Sequence, residues 1–272
     1  MTTTVPGHDA WDSGEHYEQF MGRWSTKVAV LFLEWLPISR HSSWLDVGCG
    51  SGALSARIVT QCAPARLTAV DQSLPFVAAL LGRLGDGVSA LVGSALALPM
   101  ATNSVDATVS GLMLNFIPDP QKALAEMVRV TKPGGCVAVY VWDYAGSIEF
   151  LSAFWAAATE LDSAASGLDE RNRFAGMAAD GLHRHFEHAG FINVQSTPLV
   201  IKTTFADFDD YWRPFLGGQG PAPTYVQSLD VTHKAALRTN LRSRLPFQED
   251  GSIPMTARAW AIQGFVRTQV AS

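Results

Sequence analysis

The sequence predicts a doubly wound α/β fold, in which helices cover both faces of a largely parallel sheet. Between residues 44 and 143, short apolar runs alternate with helix-like segments of about ten residues. The run 136–143 (CVAVYVWD) is apolar on both faces, as a central strand requires. The first apolar run (44–48) ends in a glycine-rich turn that leads straight into a helical pattern. Strands and helices that alternate in this way form right-handed crossovers between parallel strands.

A helix is expected over 24–36, after an N-terminal arm (1–22) that has no regular pattern. Val28, Leu31 and Trp35 recur at helical spacing, and Pro37 stops the helix. The alternating segments that follow are predicted, in order, as strand 44–48, helix 53–60, strand 67–71, helix 74–84, strand 88–93, strand 105–114, helix 121–131 and strand 136–143.

The pattern changes after residue 144. The predicted elements are helix 148–161, a polar connection 162–175, helix 181–189, strand 191–205, helix 206–213, loop 216–224, helix 225–244 and strand 256–266. The last two strands enclose about fifty residues, which is too long for a structureless loop in a compact domain. We therefore expect this segment to form a helical cap.

Composition excludes several classes of protein. The chain has 272 residues, of which 47% are hydrophobic and 17% charged, enough for one large α/β domain. No apolar run is long enough for a membrane helix, and the first twenty residues do not resemble a secretory signal. Cys49, Cys62 and Cys136 lack metal-site spacing, so no bound metal is expected. The net charge of −5, without a basic run, argues against a nucleic acid partner. We expect a cytoplasmic monomer or homodimer.

The turn after the first strand has glycines at positions 48, 50 and 52, and these leave the backbone bare for a ligand. The following helix presents its N-terminal N–H groups to the same place. Asp71 ends the next strand, where its carboxylate can accept hydrogen bonds from both hydroxyls of a ribose. Together these features indicate a nucleoside cofactor.

Two cofactor classes fit this loop, a nicotinamide dinucleotide and S-adenosylmethionine. Gly48-x-Gly50-x-x-Ala53 satisfies the dinucleotide pattern. Asp46, however, lies inside the strand just before the glycines, where it suits an ammonium group and is awkward beside a pyrophosphate. The glycine-rich strand also begins only at residue 44, behind a helical arm. These features favour S-adenosylmethionine.

Five segments in order resemble the class I S-adenosylmethionine-dependent methyltransferases, particularly bacterial small-molecule members similar to the ubiquinone/menaquinone-biosynthesis type. They are LDVGCGSG (45–52), AVDQS (69–73), GSALALPMATNSVDATVS (93–110), GLMLNFIPDP (111–120) and VTKPGGCVAVYVW (130–142). The resemblance implies a Rossmann-like, seven-stranded sheet whose last strand is antiparallel, and methyl transfer that leaves S-adenosylhomocysteine. The chain then divides into an arm and helix that cover the cofactor (1–43), a cofactor-binding core (44–143), and a completion of the sheet with a substrate-side cap (144–272).

The resemblance also assigns cofactor-binding residues. They are Tyr17, Arg23, Asp46, Gly48, Cys49, Gly50, Asp71, Gln72, Ser94, Ala95, Ser110 and Gly111. Tyr17, in YEQFMGRWS (17–25), would cover the site, and Arg23 would pair with the methionine carboxylate. Backbone groups of Ser110 and Gly111 would meet the methionine ammonium. Ser94 departs from the family, which usually has an acid there, so the adenine contact loses its charge assistance.

A small organic molecule is the expected methyl acceptor. Amino-methylating enzymes that act on adenine or glutamine resemble one another in an Asn/Asp-Pro-Pro-Tyr/Phe corner after strand four, and here that place reads LNFI (114–117). Aromatic residues are frequent in the segments expected over the site, and the substrate-binding candidates among them are Trp142, Tyr144, Trp212 and Phe215.

Catalysis by in-line displacement depends mainly on positioning and on removal of water, so a general base is required only if the acceptor must lose a proton. The catalytic residue is not identified, and the weak candidates for a base are His16, Asp143 and Tyr144. His183, His185 and His188 are not spaced as a zinc pair on a helix.

Two other functions remain open. The chain could bind the cofactor without catalysing transfer, because a fold and a binding loop do not guarantee chemistry. It could also be an NAD(P)-dependent oxidoreductase, although no proton-donor pair beside a hydride site is evident.

Overall fold

The structure is a computed structural model, and it describes residues 21–217 and 220–268. Its centre is a seven-stranded sheet with the order β3-β2-β1-β4-β5-β7-β6. The strands are β1 (Ser43–Val47), β2 (Arg66–Asp71), β3 (Ser89–Val92), β4 (Val105–Gly111), β5 (Thr131–Trp142), β6 (Ile192–Lys202) and β7 (Thr256–Phe265). Strands β1 to β5 pair in parallel, and β7 pairs antiparallel with both β5 and β6. The predicted doubly wound sheet with an antiparallel last strand is confirmed.

Helices cover both faces of this sheet. They are α1 (Arg23–Trp35), α2 (Ala53–Arg57), α3 (Leu74–Leu84), α4 (Pro120–Val130), α5 (Glu149–Leu161), α6 (Glu170–Arg173), α7 (Ala179–His188), α8 (Phe208–Trp212), α9 (Pro221–Ser228) and α10 (Val231–Arg244). Local sequence explains where α4 begins. The side chain of Asp119 accepts a hydrogen bond from the backbone N–H of Lys122, and Pro120 occupies the first turn, where its missing N–H costs nothing.

Three sequence predictions need correction. The predicted helix 225–244 is two helices, because Asp230 is extended and its side chain caps the start of α10 by accepting from the N–H of His233. The predicted strand 105–114 ends at Gly111, since Leu112 has φ of +60° and cannot continue a strand. The polar connection 162–175 contains a 3₁₀ helix (Ser163–Leu168) followed by α6.

Alternation along the central strands produces two apolar layers. Trp44, Ala138 and Tyr140 lie in the layer with α1, whereas Leu45 and Val137 lie in the layer with α4 and α7. All five side chains are buried, as expected for a sheet that is covered on both faces. In the part of the chain that the structure describes, no helix combines the length and the apolar composition that a bilayer span requires.

The segment between β6 and β7 is helical, as predicted for the cap. It contains α8, a 3₁₀ turn (Arg213–Leu216), α9 and α10. It begins and ends at neighbouring points, because the N–H of Thr203 donates to the carbonyl of Met255 at 2.8 Å and Phe205 bridges to Ile253. The chain therefore leaves the sheet and re-enters it at one place.

Candidate cofactor and acceptor site

The glycine loop lies at the point where the strand order reverses. Strands β2 and β4 pair with opposite edges of β1, and a doubly wound sheet binds its ligands at such a switch point. The backbone N–H of Gly48 donates to the carbonyl of Val70 at 2.8 Å, which ties the loop to β2. Gly50 has φ of +52°, and a Cβ at this position would meet no atom within 4 Å. The loop therefore presents bare backbone to open space.

Both carboxylate oxygens of Asp71 accept hydrogen bonds from backbone N–H groups. The N–H of Gly50 donates to Oδ2 of Asp71 at 2.9 Å, and the N–H of Ser73 donates to Oδ1 at 2.9 Å. The carboxylate is half-buried, and each oxygen retains capacity for a further hydrogen bond. Asp71 thus has a fixed orientation beside the glycine loop, while Gln72, the next predicted residue, has an exposed side chain.

Asp46 is the most unusual charged group of the site, because its side chain is completely buried. Its Oδ2 accepts a hydrogen bond from the Ser55 hydroxyl at 2.6 Å. Its Oδ1 has no partner among the described residues. Burial raises the pKa of Asp46 to about 7, and the negative charge of Asp71 adds to the rise. A cation placed at Oδ1 would stabilise the carboxylate form.

Cys49 lies in the glycine loop, and its side chain is buried. Burial, together with the charges of Asp46 and Asp71, raises the pKa of the Cys49 thiol far above its usual value. The thiol therefore stays protonated and is unsuited to act as a nucleophile.

The loop after β3 is fixed by two residues of α4 that sequence analysis did not identify. Glu126 Oε2 accepts a hydrogen bond from the N–H of Leu98 at 2.7 Å. Arg129 donates to the carbonyls of Leu98 and Met100 at 2.9 and 2.8 Å, and it pairs with Glu126 at 2.7 Å. The bonds to Arg129 hold the pKa of Glu126 below its ordinary value.

Ser94, at the start of the same loop, accepts a hydrogen bond from the N–H of Leu96 at 3.1 Å through its hydroxyl oxygen. Its side chain and that of Ala95 are half-buried. The local turn therefore already uses the hydroxyl that sequence analysis assigned to adenine.

The end of β4 contains a sharp change of backbone direction. A Cβ at Gly111 would lie 2.5 Å from the hydroxyl of Tyr140, so only glycine fits there. Leu112 follows with φ of +60°, which is unfavourable for a leucine, and its N–H donates to the carbonyl of Tyr140 at 2.8 Å. Ser110 is almost fully buried, and its hydroxyl lacks a hydrogen-bond partner in the described part of the chain.

Two further buried polar groups near this strand end have no partner within the described ranges. Both carboxamide atoms of Asn115, Oδ1 and Nδ2, are unpaired, and the residue is 8% exposed. The indole Nε1 of Trp142, at the end of β5, is also unpaired. An unsatisfied buried group costs about 1–3 kcal/mol of stability. Such groups recur where a ligand supplies the missing partner.

A narrow cavity of about 20 Å³ opens beside these residues. Its walls include Leu112, Phe116, Trp142, Tyr144, Glu170 and Phe174. The ring of Phe174 lies 5.3 Å from that of Phe116 and 4.8 Å from that of Tyr144, measured between centroids. Glu170 is 4% exposed and accepts a hydrogen bond from the Trp155 indole. Glu170 and Phe174 lie in the predicted polar connection, where no pattern distinguished them.

Larger grooves lie elsewhere. One of about 650 Å³ runs between α5 and α10 and is lined by Glu160 and Arg244, which form an ion pair. This groove is on the outer surface of the cap and includes no residue of the glycine loop. Size alone therefore does not locate the site.

Arg23 contacts the cap in this structure. Its Nη1 pairs with Asp210 Oδ1 at 2.8 Å, and its guanidinium lies 4.4 Å from the ring centroid of Trp24 and 4.7 Å from that of Phe205. Its Nε and Nη2 are without partners in the described part of the chain. A contact from Arg23 to a cofactor carboxylate stays a prediction. Tyr17 and His16 lie outside the described residues.

Three residues that the sequence predicted for the site, Trp212, Phe215 and Asp143, have other structural roles, in packing and in hydrogen bonding. Trp212 and Phe215 are 6% and 1% exposed in the cap core, where Phe215 stacks on Phe154 at 4.5 Å, and neither is in the cavity wall given above. Asp143 is buried and accepts hydrogen bonds from Arg258, the Trp260 indole and a backbone N–H. These contacts tie the end of β5 to β7 and do not support a role for Asp143 as a base.

Comparison with known proteins agrees with this arrangement. Residues 45–139 match a family model described as a methyltransferase domain. This part of the chain is therefore similar to methyltransferase domains.

Two relatives that share one name, demethylmenaquinone methyltransferase, are similar to this chain over different lengths. Over 95 residues the chain is 41% identical to a demethylmenaquinone methyltransferase of Renibacterium salmoninarum, covering 35% of this chain and 39% of that protein. It is 29% identical over 171 residues to the enzyme of the same name from Staphylococcus aureus, covering 58% and 71%. The chain thus spans about two fifths of the length of the first relative.

Solved structures show the same fold at low identity. A putative methyltransferase from Bacillus halodurans superposes with a TM-score of 0.58 at 14% identity, over 88% of this chain and 99% of that one. A phosphoethanolamine N-methyltransferase from Haemonchus contortus, in complex with phosphomonomethylethanolamine and S-adenosylhomocysteine, gives a TM-score of 0.57 at 17% identity, over 94% and 57%.

Proposed function

We propose that the protein binds S-adenosylmethionine and transfers its methyl group to a small organic acceptor. The observation that carries this proposal is the unpaired Oδ1 of the buried Asp46, in the strand that leads into the glycine loop with its open backbone at Gly50. A buried carboxylate oxygen without a partner is costly, and a ligand that carries an ammonium group removes that cost. The amino-acid end of S-adenosylmethionine carries such a group.

Each part of the site then has a role toward the cofactor. Asp71 accepts hydrogen bonds from the ribose hydroxyls, and Gly48 and Gly50 allow the backbone to approach. Backbone groups of Ser110 and Gly111 meet the ammonium from the β4 side. The turn at Ser94 and Ala95, fixed by Glu126 and Arg129, borders the adenine.

The acceptor is proposed to bind beside Leu112, where the cavity of about 20 Å³ must widen to admit it. S-adenosylmethionine bound here would supply an electrophilic methyl group for in-line transfer to the acceptor. The apolar walls at Phe116, Trp142 and Tyr144 exclude water and favour a flat acceptor. If the accepting atom carries a proton, that proton is lost to solvent or to a nearby base.

The same observation argues against a dinucleotide. A pyrophosphate at the glycine loop would bring negative charge close to Asp46 and Asp71, and neither acid has a cationic partner among its described hydrogen bonds.

A non-catalytic binding module is the second candidate, because the acceptor cavity of about 20 Å³ has room for little more than a water molecule.

Thermal unfolding with separate additions of S-adenosylmethionine, S-adenosylhomocysteine, NAD and NADP tests the cofactor. At about 100 times its dissociation constant, a ligand adds roughly 2.7 kcal/mol of stability, which raises the midpoint by several degrees. We expect a rise with the two sulfur compounds alone. A rise with a dinucleotide would overturn the proposal. Transfer of labelled methyl to a panel of small acceptors separates the enzyme from the non-catalytic module.

A further inference from the structure

The ion pair between Arg23 and Asp210 connects the start of α1 to the cap. Nη1 of Arg23 lies 2.8 Å from Oδ1 of Asp210, which belongs to α8. The two side chains are 34% and 30% exposed, and an ion pair with that much access to water adds little to stability. Stability alone therefore does not account for a pair between these two elements.

Both members of the pair are held in place by their surroundings. The guanidinium of Arg23 lies 4.4 Å from the ring centroid of Trp24 and 4.7 Å from that of Phe205. These two rings meet edge to face, with their centroids 5.5 Å apart. The other carboxylate oxygen of Asp210, Oδ2, accepts a hydrogen bond from the N–H of Ala206 at 2.9 Å. The ion pair thus sets the direction in which the remaining edge of the guanidinium points.

That remaining edge consists of two unsatisfied donors. Nε and Nη2 of Arg23 are buried, and neither has a hydrogen-bond partner in the described part of the chain. Their parallel N–H groups match the two oxygens of a carboxylate. A buried donor without a partner lowers stability, and a charged donor does so more than a neutral one. A carboxylate placed at this edge would remove that cost.

The proposed cofactor site also contains an unsatisfied group of the opposite charge. Oδ1 of the buried Asp46 lacks a partner among the described residues, as the free edge of Arg23 does. Helix α1 packs against α2, which follows the glycine loop, and Met21, two residues before Arg23, lines the cavity beside Trp142. The amino-acid end of S-adenosylmethionine carries an ammonium and a carboxylate on one carbon, so it complements both groups.

We propose that Asp210 is a positioning residue for the cofactor: it holds Arg23 so that Nε and Nη2 receive the cofactor carboxylate, and cofactor binding in turn steadies the start of the cap. This inference rests on the proposed function, because it concerns the cofactor proposed there. Asp210 itself contacts neither the cofactor nor the acceptor. Its effect is therefore confined to ligands that carry the carboxylate.

Calorimetric titration with two ligands tests the role of Asp210. S-adenosylhomocysteine carries the amino-acid end, whereas 5′-methylthioadenosine has the same adenosine and sulfur without it. Asp210→Asn removes the charge and keeps the size of the side chain. We expect it to weaken S-adenosylhomocysteine binding about fivefold or more, the order of coupling within one ion-pair network, and to leave 5′-methylthioadenosine binding unchanged.

Asp209→Asn is the matched control, because Asp209 precedes Asp210 in α8 and pairs with a different arginine, Arg238, at 2.8 Å. It should bind both ligands normally. Arg23→Lys keeps a positive charge for Asp210 but lacks the parallel N–H groups, and it should weaken only S-adenosylhomocysteine binding, about tenfold or more.

The outcomes of these titrations separate the two proposals. Normal S-adenosylhomocysteine affinity of Asp210→Asn would overturn the positioning role. Equal losses for both ligands would also overturn it, because they would show a general effect on the fold. A wild-type protein that binds neither ligand would overturn the proposed function, and the positioning role with it.

Hydrogen exchange of the wild-type protein tests the link to the cap without any substitution. The N–H of Ala206 donates to Oδ2 of Asp210, so the exchange of this amide reports how firmly Asp210 is held. Because coupling between two sites is reciprocal, we expect saturating S-adenosylhomocysteine to slow this exchange about threefold or more relative to saturating 5′-methylthioadenosine. Equal exchange rates with the two ligands would show that the cap does not respond to the carboxylate, and would overturn the proposal.

Discussion

The backbone N–H of Gly50 donates a 2.9 Å hydrogen bond to Oδ2 of Asp71, so the acid at the end of β2 holds the glycine loop that follows β1. The N–H of Ser73 fixes the other oxygen of the same carboxylate. The two halves of the proposed ribose site are thus aligned before any ligand arrives. Prior alignment of this kind reduces the ordering cost of binding.

Replacement of Asp71 by alanine should weaken S-adenosylhomocysteine binding by about 10- to 100-fold, because hydrogen bonds to a charged acceptor contribute about 1.5–3 kcal/mol. Calorimetric titration measures the loss. Asp86→Ala, which removes an exposed acid from the turn after α3, is the control and should bind normally. Equal affinity of the Asp71 variant and the wild type would contradict the ribose assignment.

A methyl group on Gly50 should obstruct the ligand without meeting any protein atom. The position has φ of +52° and no neighbour within 4 Å, so Gly50→Ala places its Cβ where the cofactor backbone contact is proposed. Gly251→Ala is matched, since Gly251 has φ of +84° and equally open surroundings but lies beside β7. We expect both variants to lose similar stability and only Gly50→Ala to lose ligand affinity. Equal affinities in titration would exclude a ligand at the loop.

Proton binding by Asp46 should make the stability of the ligand-free protein depend on pH. Its folded pKa of about 7 lies above the ordinary 3.8, so the folded state holds an extra proton between these values. The free energy of unfolding therefore falls as pH rises from about 4 to 7, by an amount on the order of 4 kcal/mol. The free energy of unfolding of Asp46→Asn, measured with denaturant at each pH, is subtracted from that of the wild type, and the difference isolates this slope. A difference that is flat across the window would refute it.

The same carboxylate should also link ligand binding to pH. A cationic group at Oδ1 favours the ionised form, so S-adenosylhomocysteine affinity should increase by up to about tenfold between pH 6 and pH 8. In Asp46→Asn this increase should vanish. Titrations in two buffers of different ionisation enthalpy would show release of a proton in the wild type only. Proton uptake instead would argue that the ammonium binds elsewhere.

The loop at Leu98 to Met100 should loosen when its clamp is removed. Arg129→Met loses two hydrogen bonds to backbone carbonyls and leaves Glu126 without its ion pair. We expect faster hydrogen exchange of amides in this loop and about 5- to 30-fold weaker ligand binding, because each of the two lost bonds contributes about 1 kcal/mol. Arg83→Met, at the exposed end of α3, should change neither. Unaltered hydrogen exchange in the Arg129→Met variant would show that the conformation of the loop does not depend on Arg129.

Sequence patterns specified the sheet well, and specific residues show why they failed elsewhere. The run CVAVYVWD identified the centre of β5 because a strand buried on both faces is continuously apolar. The end of β4 was misjudged because Leu112 adopts φ of +60°, which its side chain gives no reason to expect. The break between α9 and α10 depended on a single capping acid, Asp230, inside a continuous helical pattern.

In the candidate site, too, some residues could be predicted from the sequence and others could not. Asp46, Gly50 and Asp71 are close in sequence to the strand ends that position them, so their proximity follows from the topology. Glu170 and Phe174 reach the cavity through a connection whose path only the tertiary structure shows. The unpaired state of Asn115 is equally invisible in sequence, because it depends on which groups do not surround it.

The cap leaves the sheet and re-enters it at one place, which has a consequence for protein engineering. Its two ends meet at Phe205 and Ile253, and Thr203 and Met255 are hydrogen-bonded just before them. An insert of another sequence would therefore span the same short gap, provided that it also covers Phe154 of α5, on which Phe215 of the cap stacks. Cap libraries grafted at this junction would vary the segment between the two strands and leave β6 and β7 themselves unaltered.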